Sequence, residues 1–394
     1  MNMKEKKRKR IAVLVSGGVD SAVVVDLLSR RDEYDLHLFY IRIGMDNGEG
    51  DCSADEDIEI CRLIARKYNL PFQEVSLHEE YWDHVMEYTL RTVGEGLTPH
   101  PDMMCNKIIK FGFFEDRWGR EFDAVATGHY ADIVEIDGLR FLATAADPVK
   151  DQTDFLAQIS GAQLSHLMFP LGKFPKPEVR KMAESVKLPN ASRKDSQGIC
   201  FLGKINYSDF LKRHLGVKEG PVIEIETGRK IGTHNGYWFY TIGQRKGLGL
   251  SGGPWYVVRK NVRDNVVYVS NGYHTSMQYG RTVPIEEINW ITVNPFDNSS
   301  PMPFRAVDDS LPITFKTRHA PGFLHGILRR LDSDHFIIEA DEDVQGIAPG
   351  QFGIIYTPDS RLCLGSGMIS LPSKKHKHRQ NEKETSPAPA GHNI

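Results

Sequence analysis

The sequence predicts an α/β protein in three parts: a helix-covered parallel sheet, a small connecting domain and a C-terminal β-barrel. Three observations predict it. Short apolar strand candidates alternate with helical stretches through the first third of the 394-residue chain, the pattern of a parallel sheet packed under helices. After about residue 205 the texture changes to Gly and aromatics, as in GRKIGTHNGYWFYTIGQRKGLGLSGGPWYVV. Strand-like runs without helical periodicity then continue to about residue 370, separated by Gly, Pro, Asp and Asn, as in small all-β barrels.

In chain order, residues 1–10 form a basic arm, with six Lys/Arg against Glu5 in residues 4–10. Strand candidates follow at 11–15 (IAVLV), 36–41, 72–77 and 124–127. Almost wholly apolar strands of this length suit a sheet buried on both faces. Helices are predicted over 21–30, 55–68 and 79–93; the second places Ile58, Cys61, Ile64 and Ala65 on one face. The catalytic unit is drawn at 11–205, the connecting domain at 206–280 and the barrel at 281–371. Barrel strands are predicted at 313–317, 327–331, 335–340, 352–356 and 362–369. Residues 372–394 are polar, basic and poor in apolar side chains, and are expected to be a disordered tail. Either basic end suits a polyanion or simply solvent.

Composition excludes several classes. No apolar run reaches the roughly 18 residues that span a bilayer, so no membrane association is expected. The basic start leads into only five apolar residues, too few for a signal peptide. A cytoplasmic protein is expected. Five Cys exclude a disulfide-built scaffold. Net charge is 49 − 52 = −3, which leaves RNA binding open, since a local basic stripe suffices.

The most informative string is SGGVDS, residues 16–21, between the first strand and first helix. Gly17 and Gly18 allow a tight turn that aims N–H groups at an anion. Ser16 and Ser21 add hydroxyl donors, and the helix N-terminus favours negative charge. No Lys follows the glycines, so this is not a Walker loop. Asp20 in that place makes sense beside a polyphosphate if it holds Mg²⁺.

Two cysteines look chemical. Cys105 follows Pro99 and Pro101, with Asp102 as expected N-cap, which places its thiol in a first helical turn that favours thiolate. Cys200 has Arg193 and Lys194 nearby in sequence. Cys52, Cys61 and Cys363 read as structural. No CxxC or HxxxH pair suggests zinc, and no protein-bound metal is expected. Arg245 and Lys246, on a Gly-flanked loop, suit phosphate contact and a solvent-exposed hairpin equally.

SGGVDS resembles the PP-loop of ATP pyrophosphatases. The chain from about 11 to 370 resembles one family within that group, the tRNA-specific 2-thiouridylases. The resemblance rests on SGGVDS (16–21), YW (81–82), TPHPDMMCNKIIKF (98–111), ATGHYA (126–131), KDQTDFLAQI (150–159), KDSQGICFLG (194–203) and TIGQRKGLG (241–249). It implies a PP-loop (adenine nucleotide alpha hydrolase-like) domain that binds ATP with Mg²⁺ through Leu14, Val15, Ser16, Gly17, Gly18, Val19, Asp20, Ser21, Tyr40 and Gly128. It implies Cys200 as the persulfide carrier, Cys105 as its partner thiol and Asp102 as acid/base. His100, Pro101 and Asp102, with Lys150, Asp151 and Gln152, would surround a flipped-out wobble uridine. His129, Arg318, His319 and Gln351 would meet the rest of the tRNA, and Arg245 and Lys246 would favour RNA over solvent.

The implied partners are the tRNA anticodon loop and a persulfide donor, either a cysteine desulfurase or a sulfur-relay protein; nothing in the sequence demands more than a monomer. The sequence departs from the family at His100, where Asn is usual, at Ala22, at FYIRIG (39–44) after the second strand, and at Arg318-His319-Ala320. Two other readings fit the same loop: a PP-loop ligase or amidotransferase on another substrate, and a tRNA-binding protein without catalysis.

Overall fold

The computed structural model describes residues 7–44, 52–194, 207–272, 279–301, 304–320 and 322–371. The start of the basic arm, Cys200 with its flanking 195–206, and the tail at 372–394 lie outside the described residues.

The first sheet contains β1 (Lys9–Leu14), β2 (Tyr34–Arg42) and β3 (Phe72–Ser76), separated by helices α1 (Val19–Ser29) and α2 (Cys52–Tyr68). β1 is buried on both faces, with Ile11, Ala12 and Val13 at most 1% exposed, which explains its unbroken apolar run. α1 is Val-rich and intrinsically a poor helix former. Burial of Val19, Ala22, Val23, Val24, Val25 and Leu28 overrides that preference.

A helical region follows: α3 (His78–Glu80), a π-helix (Tyr81–Met86), α4 (Glu87–Gly94), α5 (Pro101–Met104), a second π-helix (Cys105–Phe113) and α6 (Phe114–Arg117). Strand β4 (Ala124–Ala126) returns to the sheet. A hairpin, β5 (Asp132–Ile136) and β6 (Leu139–Ala143), is followed by α7 (Thr153–Leu156), α8 (Gly161–Ser165), β7 (Leu167–Met168), α9 (Lys176–Ser185) and α10 (Tyr207–Leu215). The parallel sheet has the order β3-β2-β1-β4-β7.

The middle region is a four-stranded sheet of β8 (Gly220–Glu224), β9 (Lys230–His234), β10 (Trp255–Asn261) and β11 (Val266–Asn271) around Val222, Val257, Val267 and Val269. The last region has β12 (Tyr279–Trp290), β13 (Ser310–Lys316), β14 (Leu324–Arg330), β15 (His335–Gln345), β16 (Phe352–Tyr356) and β17 (Leu362–Ile369). Pairing of β12 with β17 closes these six into a barrel. The fold is therefore α/β with a terminal β-barrel.

The β5–β6 hairpin, which the sequence analysis does not contain, crosses the regions. Its Leu142 pairs with Cys363 of β17, so it extends the barrel although in sequence it lies between β4 and β7 of the parallel sheet. Its turn, Asp137-Gly138, has positive φ at both residues, the geometry Asp-Gly hairpins favour.

Candidate active site

The PP-loop candidate lies at the C-terminal edge of the parallel sheet, where open α/β sheets bind ligands. Val15 N donates to Phe39 O (2.8 Å) as the chain leaves Leu14, so half-buried Tyr40 flanks the loop on β2. Gly17 turns the chain with φ +71°. Its carbonyl accepts from Asn190 Nδ2 (2.8 Å) and Arg193 Nη1 (3.1 Å). A Cβ there would fall 2.9 Å from Asp57 Cα. Gly18 opens α1 without a side-chain cap, leaving that end to an outside acceptor.

Ser21 is 5% exposed. Its hydroxyl accepts from Ser16 N (3.2 Å) and donates to Gly18 O (3.1 Å). Here it laces the loop shut through its own backbone. Gly128 follows β4, and a Cβ there would sit 2.9 Å from Ser21 N. Only glycine lets this crossing approach the start of α1.

Asp20 differs from expectation. Both its oxygens accept from Lys176 Nζ at 2.7 Å, and Tyr130 Oη donates to Oδ1 at 2.8 Å. The carboxylate expected to hold Mg²⁺ is thus engaged by an ammonium. The cation missing from the loop is supplied 156 residues later, at the start of α9. Asp147 fixes that start by accepting from Lys176 N (2.9 Å). Sequence reasoning missed Lys176; the only local signal was Pro175 and Pro177 bracketing a Lys at a helix start.

The second cluster surrounds Cys105. The expected N-cap, Asp102, is not the cap. His100 is: its Nδ1 accepts from Met103 N, with Pro101 in the first helical turn. Pro at the first helical position explains the shift. Cys105 therefore stands beyond the first turn, where the N-terminal field has faded, and is 2% exposed. It begins the π-helix Cys105–Phe113. Gln163 Nε2 donates to Lys107 O (2.8 Å) and Phe111 O (2.7 Å) of that wide turn. Asn106 Nδ2 donates to Phe155 O (3.1 Å), tying it to α7. Asp102 is half-buried on α5. Burial lowers the pKa of His100, so its imidazole is neutral, as a capping acceptor must be.

Barrel residues close over this turn. The ring of His100 lies edge-on to Phe155 (5.4 Å), which lies 4.9 Å from His319. His319 Nδ1 pairs with buried Asp154 at 2.8 Å, and that hydrogen bond raises its pKa. Gln351 Nε2 donates to Pro99 O (2.9 Å) and Thr98 O (3.4 Å). Arg318 donates to Gln345 O.

Several other residues expected to contact tRNA make bonds within the chain. Asp151 is 2% exposed. It accepts from Thr153 Oγ1 (2.7 Å) and Ala145 N (3.0 Å) and pairs with Lys316 at 3.4 Å. Its carboxylate joins the segment before α7 to β13. Burial outweighs these partners and raises its pKa. Gln152 Oε1 accepts from Tyr130 N (2.9 Å), while Lys150 is half-buried. His129 is wedged between Phe111 and Phe169 with Thr127 Oγ1 at 2.8 Å. Burial pushes its pKa well down.

Arg245 and Lys246 stand exposed. The thiols of Cys61 and Cys363 are buried; burial pushes Cys61 up to about 12 and Cys363 well above the ordinary thiol value, which makes them unreactive.

Family models match three consecutive stretches. They are a tRNA methyl transferase HUP domain at 9–204, a tRNA methyl transferase PRC-barrel domain at 208–271 and an aminomethyltransferase beta-barrel domain at 281–369. The chain is 58% identical over 361 residues to the tRNA-specific 2-thiouridylase MnmA of Parabacteroides distasonis, covering 91% of this chain and 98% of the relative. It is 56% identical over 362 residues to that of Porphyromonas gingivalis, covering 91% and 99%. It is 56% identical over 360 residues to the tRNA-specific 2-thiouridylase MnmA 2 of Bacteroides fragilis, with the same coverage.

Proposed function

Because the chain belongs to the family of the tRNA-specific 2-thiouridylases, we propose that it transfers sulfur to C2 of the wobble uridine of tRNA at the expense of ATP. The observation that carries this reading is the loop at 16–21. It is turned by Gly17, opens an uncapped helix and lies beside the Lys176 ammonium. These residues fit a polyphosphate: backbone N–H groups at a helix start, and a nearby cation. Since Asp20 is held by Lys176, Mg²⁺ is assigned to the triphosphate.

The uridine C2 oxygen is a poor leaving group. In this reading it attacks the α-phosphorus of ATP, expels pyrophosphate and becomes part of AMP. The terminal sulfur of a Cys200 persulfide attacks C2, and AMP departs with the oxygen. The Cys105 thiolate then attacks Cys200 Sγ and breaks the S–S bond. Sulfur stays on C2, and a Cys105–Cys200 disulfide forms, which an external dithiol reduces with two electrons. Asp102, one turn before Cys105, exchanges the proton.

The anticodon loop offers an unpaired base, so extruding the uridine is cheap. His100, Pro101, Asp102, Lys150 and Gln152 would surround it. Arg318, His319, Arg245 and Lys246 would border the tRNA. The sulfur comes from a cysteine desulfurase or a relay protein. We assign the protein to the cytoplasm as a monomer, with 11–205 as catalytic unit and 206–280 and 281–371 as RNA-facing units.

The test is direct. Purified protein is incubated with unmodified tRNA, Mg-ATP and a persulfide donor, and the digested tRNA is analysed by mass spectrometry. Thiouridine that requires ATP, Cys105 and Cys200 is expected. Full activity in Cys200→Ser would remove the persulfide role. AMP formation without thiouridine under any donor would point to another substrate.

A further inference from the structure

We propose that Gln351, with Pro349 and Gly350 of the barrel, is a positioning device for the turn that carries His100, Asp102 and Cys105. The chemistry assigned to that turn rests on the function proposed above; the contacts do not.

The segment between α4 and α5 has no ladder of its own. Pro99 and Pro101 lack backbone donors, so the segment cannot hold itself through regular hydrogen bonding. Glu95, Gly96 and Leu97 N–H return to α4, and His100 N donates to Tyr88 Oη (3.3 Å); at Thr98 and Pro99 the polar groups turn to the barrel. Thr98 N donates to Pro349 O at 2.8 Å. The Gln351 carboxamide nitrogen reaches Pro99 O at 2.9 Å and Thr98 O at 3.4 Å.

Between them, Gly350 takes φ +90°, and a Cβ there would lie 2.8 Å from Leu97 Cβ and Thr98 N. Two backbones meet where only glycine fits. The barrel side is rigid: Gly350 N donates to Ile369 O (2.9 Å) and Ile369 N to Gln351 O (2.7 Å). The next residues, Phe352–Tyr356, are all buried.

The clamp leads straight to the reactive turn. Pro99 precedes the capping residue His100, whose ring also faces Phe352 at 6.4 Å. Cys105 follows within the same helical run. The resemblance gave Gln351 a tRNA contact. Its nitrogen is instead spent on two carbonyls of its own chain, so its main effect on the reaction is through the placement of others.

The experiment uses the full chain with Gln351→Ala, Gln351→Glu and Gly350→Ala. Gln351→Glu sets a carboxylate against two carbonyls, and Gly350→Ala drives a methyl into Thr98. One arm measures kcat and KM for tRNA. The other needs neither RNA nor turnover: a maleimide labels the tRNA-free protein, and peptide mass spectrometry follows Cys105 against Cys61 and Cys363.

A misplaced turn should lower kcat by roughly ten- to a hundred-fold while KM for tRNA stays within about two-fold. Cys105 labelling should accelerate severalfold, with Cys61 and Cys363 unchanged. A raised tRNA KM with intact kcat and unchanged Cys105 labelling would overturn the proposal in favour of direct RNA contact. Equal acceleration at all three cysteines would reduce the clamp to general stability and overturn it too. If Gln351→Glu fails to fold, Gln351→Ala decides. If no chain makes thiouridine, the labelling arm still judges the clamp, and only the functional reading falls.

Discussion

Replacing Lys176 by Met keeps the apolar stem beside Tyr130 and removes the ammonium. In the native chain that ammonium sits 2.7 Å from both oxygens of Asp20. Asp20 would retain the Tyr130 hydroxyl at 2.8 Å but would carry an uncompensated negative charge at the mouth of a loop shaped for phosphate. Two like charges about 4 Å apart repel by about 4 kcal/mol at an effective dielectric of about 20. The pair is not sealed from water, with side-chain exposures of 10% for Lys176 and 31% for Asp20, so screening reduces that figure.

About 2 kcal/mol remains, close to the value of a charge-assisted hydrogen bond, and corresponds to roughly 30-fold weaker ATP binding. Pyrophosphate release measured against ATP concentration reads it, with KM for tRNA as control. Asp20→Asn in the Lys176→Met background should recover much of the loss, because the exposed carboxylate is then gone; the double-mutant cycle gives the coupling. An ATP KM for Lys176→Met within about two-fold of the parent would refute the argument. Failure of the double variant to recover would mean that Lys176 acts on phosphate rather than through Asp20.

Three further outcomes follow from the contacts. Lys316→Met strands Asp151 in a site where it is 2% exposed and should cost about 3–5 kcal/mol in urea unfolding, whereas Asp151→Asn with Lys316→Met should cost far less; equal losses would contradict the buried-pair account. The pKa of His319 is raised chiefly by its hydrogen bond to Asp154, so the pair's stabilisation is complete below the free histidine value and fades as pH rises through the raised one. Its half-exposed ring limits this to about 1 kcal/mol or less; unfolding midpoints from pH 6 to 8 should fall in the parent and stay flatter in His319→Asn, and parallel curves would exclude it. Gly128→Ala places a methyl 2.9 Å from Ser21 N and should raise the ATP KM about ten-fold with little change for tRNA; an unchanged ATP KM would show that the crossing yields.

What the sequence made legible is what local pattern can encode. IAVLV reads as a central strand because both its faces are buried, and SGGVDS reads as a tight turn into a helix because its two glycines and its position before a helix are sufficient signals. Strands β16 and β17 emerge residue for residue, since each is bounded by turn residues. The cap at His100 was hidden because histidine is outside the usual capping set and Asp102 is inside it; Pro101, which prefers the first helical position, carried the better signal. The Asp-Gly turn of β5–β6 was a readable hairpin, but its partner β17 lies 363 − 142 = 221 residues away by the Cys363–Leu142 pairing. No local pattern encodes that distance.

The same limit explains Asp20, Asp151 and Gln351. Their residue types suit ligands, and the resemblance assigns them to ligands. Each also has donors or acceptors to satisfy, and the folded chain satisfies them with Lys176, Lys316 and the Thr98–Pro99 carbonyls. A buried polar group must find a partner, and which partner it finds depends on elements more than 100 residues apart in all three cases. The partners come from α9, β13 and the turn before α5, so the contacts that shape the loop and the cysteine turn are made between distant elements. Within the site, residue type therefore marks where chemistry is concentrated, while the division between groups that touch substrate and groups that hold those in place is set by tertiary pairing.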